Sequence, residues 1–152
     1  MTLSESISAL PESSFAPGEE IISEGGHPDR IYFLKSGKVE VVRDGIRVAV
    51  IKTPGSVLGE LSALLEVPAT ATVKALDPTV VASAPEPLDF LQTNPSVNLH
   101  VSRLLAHRLD AASQYLVDVK EQLKDCSDHV GMVDGVLDSI VHRDLKKKAS
   151  AL

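Results

Sequence analysis

The sequence predicts a small β-sandwich or barrel followed by one long helix, and three observations carry that fold class. Up to Pro95 the chain is punctuated by turn dipeptides: Pro17-Gly18, Gly25-Gly26, Ser36-Gly37, Asp44-Gly45, Pro54-Gly55 and Asp77-Pro78. Between them lie short β-branched and apolar runs, the pattern of a sandwich or barrel built from short strands. After Pro95 no further proline occurs and the apolar spacing takes up the helical period.

Strands are expected at 21–22, 31–34, 39–42, 48–51, 70–75 and 80–84. The runs flanking Asp44-Gly45 form a hairpin, because this dipeptide accepts the positive φ angles of a tight primed turn. The segment 61–65, just after Gly59-Glu60, departs from the β pattern and is expected as a single short helical turn. In the helical part, Leu105, Leu109, Ala112, Leu116, Val119, Leu123 and Cys126 succeed one another at alternating steps of four and three. Val130, Val133, Leu137 and Ile140 continue the rhythm. A stripe of that period is a coiled-coil seam, so the chain is expected to form a parallel homodimer along the seven positions to Cys126. Gly131 and Gly135 each disfavour helix by about 1 kcal/mol. The helix is therefore expected to end or kink at 127–135, with Ser127 or Asp128 capping a second one. These signals divide the chain into a barrel at 1–94 and a helical part at 95–152.

Composition narrows the function classes. Apolar residues make up 43% of the 152 positions and charged residues 24%, the balance of a globular chain long enough for one domain and an appendage. Trp is absent and aromatics are 3%, so Val, Leu, Ile and Ala must build the core. A net charge of −6 argues against a nucleic-acid surface. The basic run at 146–148 is read as complementing a helix C-terminus. Cys126 is the sole cysteine, which excludes an intrachain disulfide and a Cys-based zinc site and fits a reducing compartment. The N-terminal segment lacks the pattern of a secretory signal, and no apolar run has the length of a membrane span. A cytoplasmic protein without membrane or nucleic-acid partners is expected. His100 and His107 share a helical face but no third ligand follows at metal spacing, so no metal or cofactor is expected. No nucleophile–base pair or paired carboxylate stands out, and the expectation is that the chain is not an enzyme.

The stretch 54–73 carries the chemistry. Gly59 permits a sharp backbone turn into the short helix. Glu60, at the start of that helix, has two readings: an acceptor for ligand hydroxyls, or a carboxylate that complements the helix dipole. The amides beside it and at Leu61 form an anion site in the first reading. Thr70 and the backbone amide of Ala71 lie where they can donate to the same anion, or are plain strand residues. Amides, a carboxylate and a hydroxyl within one loop suit a sugar phosphate.

The chain resembles the cyclic-nucleotide-binding domains of the catabolite activator protein and of protein kinase A regulatory subunits. The residues that carry the resemblance are Pro17-Gly18-Glu19, Glu24-Gly25, Ile31-Tyr32-Phe33-Leu34 with Ser36-Gly37, Val39 and Val41, Gly59-Glu60-Leu61, and Pro68 with Thr70-Ala71-Thr72. It implies an eight-stranded jelly-roll barrel with a phosphate-binding cassette, a short helix before Asn94-Pro95, and a long dimerisation helix after it. It implies that Gly59, Glu60 and Leu61 line the pocket with Glu60 on the ribose, that Thr70 and Ala71 approach the cyclic phosphate, and that Ser113 sits near the base. The family's phosphate-binding arginine corresponds to Ala69. Leaving a buried phosphate without such a partner costs about 2–5 kcal/mol. Arg47, Lys52 and Lys74 are the cations nearby in sequence.

In transcription regulators of the family a helix-turn-helix domain follows the long helix, and 127–152 is too short to hold one. The expected function is a regulatory or sensor module. It binds cyclic AMP, cyclic GMP or a related small anion weakly or not at all, and signals through the homodimer or an unknown partner protein. The alternative is a structural or protein-interaction module with an empty pocket.

Overall fold

The structure, a computed structural model, describes residues 1–124, 132 and 134–140. The chain opens with helix α1 (Leu3–Ser8), started by a capping box in which Thr2 and Glu5 satisfy each other's backbone N–H groups. Eight strands follow: β1 (Glu12–Phe15), β2 (Glu20–Ile22), β3 (Arg30–Ser36), β4 (Val39–Arg43), β5 (Ile46–Ile51), β6 (Val57–Leu58), β7 (Thr72–Ala75) and β8 (Thr79–Pro85). Helix α2 (Glu60–Leu65) interrupts them between β6 and β7, and α3 (Pro87–Thr93) and α4 (Pro95–Gln122) follow β8. The strands form two antiparallel four-stranded sheets, ordered β1-β8-β3-β6 and β2-β7-β4-β5. This agrees with the sandwich or barrel that the turn spacing predicts and with the jelly roll that the resemblance implies.

The hairpin β4–β5 turns at Asp44 (φ 51°) and Gly45 (φ 76°), as the dipeptide requires. A bulge at Val41/Val42 follows in the same ladder. The strand expected at 70–75 is shorter: β7 begins at Thr72 and leaves Thr70 and Ala71 in irregular backbone. Two strands carry no periodic signal. β1 is polar and mostly exposed, and β6 has only two residues, too few to display alternation.

Strand β3 positions everything else, because both of its faces are used. Tyr32 and Leu34 point between the sheets, where Leu34 joins Ile21, Ile22, Val39, Leu58, Ala69, Val73 and Val81 in one core cluster. Ile31 and Phe33 point the other way, and both are fully buried. Phe33 meets Phe90 of α3 edge to face, with ring centroids 6.2 Å apart. The register agrees: Leu34 lies opposite Val81 and Tyr32 opposite Ser83, while Phe33 lies opposite Ala82 and Ile31 opposite Ala84. Small alanines on β8 leave room for Phe90 against that face.

The chain divides into two compact units, 1–104 and 105–152. In the first, the opening turns of α4 are anchored by buried Val97 and Val101. His100 adds a hydrogen bond from Nε2 to the Gly55 carbonyl, 2.7 Å. Pro95 supplies a preset φ at the first helical position.

In the second unit the expected continuous seam is cut short. The helix ends at Gln122, with Leu123 and Lys124 in a turn, and helical backbone resumes at 134–140. Lys120 and Asp134 form an ion pair although they are 14 residues apart. Along one straight helix that separation spans about 21 Å, so the two residues do not belong to one straight helix. The end or kink expected at 127–135 is thus preceded by a break at Gln122. Cys126, Val130, Val133, Ser127 and Asp128 lie outside the described residues. Of the remaining stripe, Leu105, Leu116, Val119 and Leu123 are half-buried, whereas Leu109 (51%) and Ala112 are exposed.

Because Phe33 is fully buried and packs β3 against α3, Phe33→Ala should destabilise the fold by about 3–5 kcal/mol. Urea denaturation measures this, and a loss under about 1 kcal/mol would contradict the two-faced role of β3.

Candidate functional site

The site is built where β6 gives way to α2. The turn is made by Gly59, whose φ of 82° is left-handed and strains any residue with a side chain. A Cβ there would come within 3.1 Å of Ile22 Cδ1 and 3.6 Å of the Arg30 carbonyl, with Tyr32 Cδ2 at 3.9 Å. Gly59 is thus favoured as glycine by its conformation, and a Cβ would also require the end of Ile22 to shift by a few tenths of an ångström. The turn delivers Glu60 to a buried position, 6% exposed, and leaves Leu61 half out of the surface at 43%. Glu60 is thus a buried carboxylate and not a solvated one.

The return path is held by backbone and hydroxyl contacts. Ser62 Oγ donates to the Val67 carbonyl at 2.7 Å, and the Glu66 amide bonds back to Ser62 with Glu66 itself left-handed (φ 54°). Ala69 is fixed on both backbone sides: its N–H donates to Gly26 at 2.8 Å and its carbonyl accepts from Gly25 at 2.8 Å. Its methyl group is 6% exposed and belongs to the inter-sheet core with Ile22, Leu34 and Val73. Thr70 and Ala71, both half-buried, follow it towards β7. Thr72 Oγ1 accepts from the Glu24 amide at 3.0 Å, and the Glu24 carboxylate accepts from the Asp44 amide at 3.2 and 3.4 Å. The β4–β5 turn is thereby clamped to the loop that follows β2.

Gly59, Glu60, Leu61, Ala69, Thr70 and Ala71 all lie in the first unit. Ser113 is half-buried on α4 and belongs to the second unit. Strand alternation sorts the three nearby cations. Arg47 donates to Glu40 Oε2 at 2.9 and 2.6 Å on the outer face of its sheet. Lys74 alternates with inward Val73 and Ala75 and faces out, and Lys52 is exposed beyond β5. A fourth cation went unnoticed in sequence: Arg30, which shares the inner face of β3 with Tyr32 and Leu34. Its position two residues before Tyr32 was the available signal. Tyr32 has its hydroxyl pKa raised above the usual value, first by burial and then by the Asp29 carboxylate, with Arg30 pulling the other way.

A surface groove of about 270 Å³ lies between α2 and α3, lined by His27, Pro28, Glu66, Pro68 and Leu88 among others. Among the described residues no three His, Cys, Asp or Glu side chains converge on a metal geometry. No helix among them is long and apolar enough to cross a membrane.

With this geometry in place, the comparisons identify the family. The model of the cyclic nucleotide-binding domain matches residues 12–92, and the chain belongs to that family. Over 77 residues, 51% of the chain, it is 39% identical to the cAMP-dependent protein kinase regulatory subunit of Yarrowia lipolytica, covering 20% of that protein. The chain spans a fifth or less of the length of the first curated relatives it matches. Among solved structures, the Thermus thermophilus catabolite activator protein shares the fold at 20% identity, with a TM-score of 0.65 over 96% of this chain and 83% of that one. A regulatory subunit of a cAMP-independent protein kinase A from Trypanosoma cruzi, bound to guanosine, is 26% identical with a TM-score of 0.50, covering 55% of this chain and 30% of that one.

Gly59→Ala should destabilise the chain by about 1–3 kcal/mol through the left-handed turn and the approach to Ile22. Ile22→Val in the same chain should recover only the steric part. Denaturation curves of the single and double variants test this, and an unchanged midpoint for Gly59→Ala would contradict the described turn.

Proposed function

We propose that this chain is a regulatory sensor module whose cassette takes a cyclic nucleotide weakly, and that it acts as a homodimer through α4. The observation that carries the reading is the placement of Glu60 and Ala69. A buried carboxylate stands at the turn beside the barrel, positioned for ribose hydroxyls, and the inward-facing residue that should hold the phosphate is an alanine methyl. Thr70 and the amide of Ala71 remain as neutral donors beside it. A phosphate without a charge-assisted partner at position 69 loses about 1.5–3 kcal/mol, one to two decades of affinity.

The cassette has a physical route to the helix within the first unit. The loop into β6 is held at Gly55 by His100 of α4, and Gly55 donates its own N–H to Leu34 at 2.8 Å. A ligand that shifts β6 and the cassette acts on the docked turns of α4 through this contact. Support for the dimer comes from Leu109 and Ala112, stripe positions that are exposed in the single chain.

A second reading is favoured by a specific pair of observations. Ala69 removes the phosphate's cation but takes nothing from a ligand that has no phosphate, and a solved relative is bound to guanosine. An uncharged nucleoside is the ligand that this cassette disfavours least.

Two outcomes test the proposal. Titration calorimetry should give dissociation constants of about 0.1 mM or weaker for cyclic AMP and cyclic GMP. Ala69→Arg should tighten binding tenfold to a hundredfold, and Glu60→Ala should abolish that gain. If Ala69→Arg lowers the melting temperature through its buried charge, added cyclic nucleotide should restore it. Absence of any gain would contradict the cassette. Sedimentation should show a dimer at micromolar concentration that Leu109→Glu dissociates, and a wild-type monomer would remove α4 as the output.

A further inference from the structure

Arg30 is placed on the side of β3 that faces the barrel interior. It lies opposite Pro85 on the face shared with Tyr32, which lies opposite Ser83, and its Nη1 donates across to the Oγ of Ser83 at 3.4 Å, a residue 4% exposed. Its backbone carbonyl lies 3.6 Å from where a Cβ on Gly59 would stand, so the residue abuts the first turn of the cassette. Its ion pair with Asp29 is loose: Oδ1 is 3.9 Å from Nε, and that carboxylate is 89% exposed. The Arg30 side chain is itself 39% exposed and can change rotamer without leaving a buried cavity.

The other cations of the barrel are placed differently. Arg47 is committed to Glu40 on the outer face, Lys35 pairs with Glu12, and Lys38 pairs with Asp77. Lys74 and Lys52 face outward. Arg43 shares the inner parity of Val39 and Val41 but stands one residue before the hairpin turn, exposed at the end of its strand. Arg30 is the cation with inner parity that also touches the cassette.

We propose that Arg30 supplies the positive charge for the phosphodiester of a bound cyclic nucleotide, from the β3 side, in place of the arginine that Ala69 replaces. This rests on the cyclic-nucleotide reading of the cassette. The guanidinium leaves a weak hydroxyl contact and an exposed carboxylate for a charge-assisted bond to the phosphate. An uncharged nucleoside offers it nothing, so the contribution is specific to the charged ligand.

The test is titration of the full chain with cyclic AMP and cyclic GMP, each beside its parent nucleoside. Arg30→Gln should weaken the cyclic nucleotides about tenfold and leave adenosine and guanosine unchanged, while Arg43→Gln changes neither. In the Ala69→Arg background the loss should shrink to under about threefold, because the new guanidinium takes the same phosphate. Equal losses for nucleotide and nucleoside would make Arg30 a structural residue, and no loss for either would remove it from the site. Binding by Ala69→Arg with none by wild type would overturn the Arg30 assignment alone. Failure of both chains to bind any of the four ligands would overturn the cassette reading, and the role of Arg30 with it.

Discussion

Strand β3 has to satisfy two apolar environments at once, and the remaining structure follows from that constraint. Its inward residues, Tyr32 and Leu34, close the space between the sheets, and its outward residues, Ile31 and Phe33, receive α3. A strand buried on both faces loses alternation and becomes a continuous apolar run, as residues 31–34 are. The consequence is mechanical. A displacement of β3 cannot be absorbed by solvent on either side and must be passed either to the cassette, through Gly59, or to the helices, through Phe90. Its neighbour β6 is only two residues long, so the cassette hangs from β3 by a short ladder and by the packing of one glycine.

The segment around Ala69 is held by its backbone: the left-handed turn at Gly59, the closure by Ser62, and the two hydrogen bonds that fix Ala69 to Gly25 and Gly26. The Ala69 side chain adds only a buried methyl to the inter-sheet core. Under the proposed reading, fold stability and recognition of the ligand's charge are therefore separable at this position.

Much of this was legible in the sequence, for identifiable reasons. Turn dipeptides with positive φ, such as Asp44-Gly45, act locally and are visible locally. The Gly59-Glu60 signal is local as well, since a glycine turn and a helix start need no distant partner. β1 was hidden because its residues are polar and it is held by pairing to β8, a contact made across the whole barrel sequence. The break at Gln122 was hidden because the heptad rhythm runs through it unaltered; rhythm reports which face is apolar, not whether a partner for that face lies in the same chain. Arg30 was hidden by its neighbour Asp29, beside which it reads as a surface ion pair. Only the parity of β3 reveals that its side chain shares the face of Tyr32.

The central claim is that the turn at Gly59 and the segment at Ala69 still form one ligand site in the first unit. Titrating isotopically labelled protein with cyclic AMP, and following its backbone amide resonances, tests this most directly. The account predicts saturable shifts concentrated at Gly59, Glu60, Leu61, Thr70 and Ala71, with Gly55 moving as the contact to His100 responds. Shifts confined to the outer groove around His27 and Leu88, or none at millimolar ligand, would contradict it.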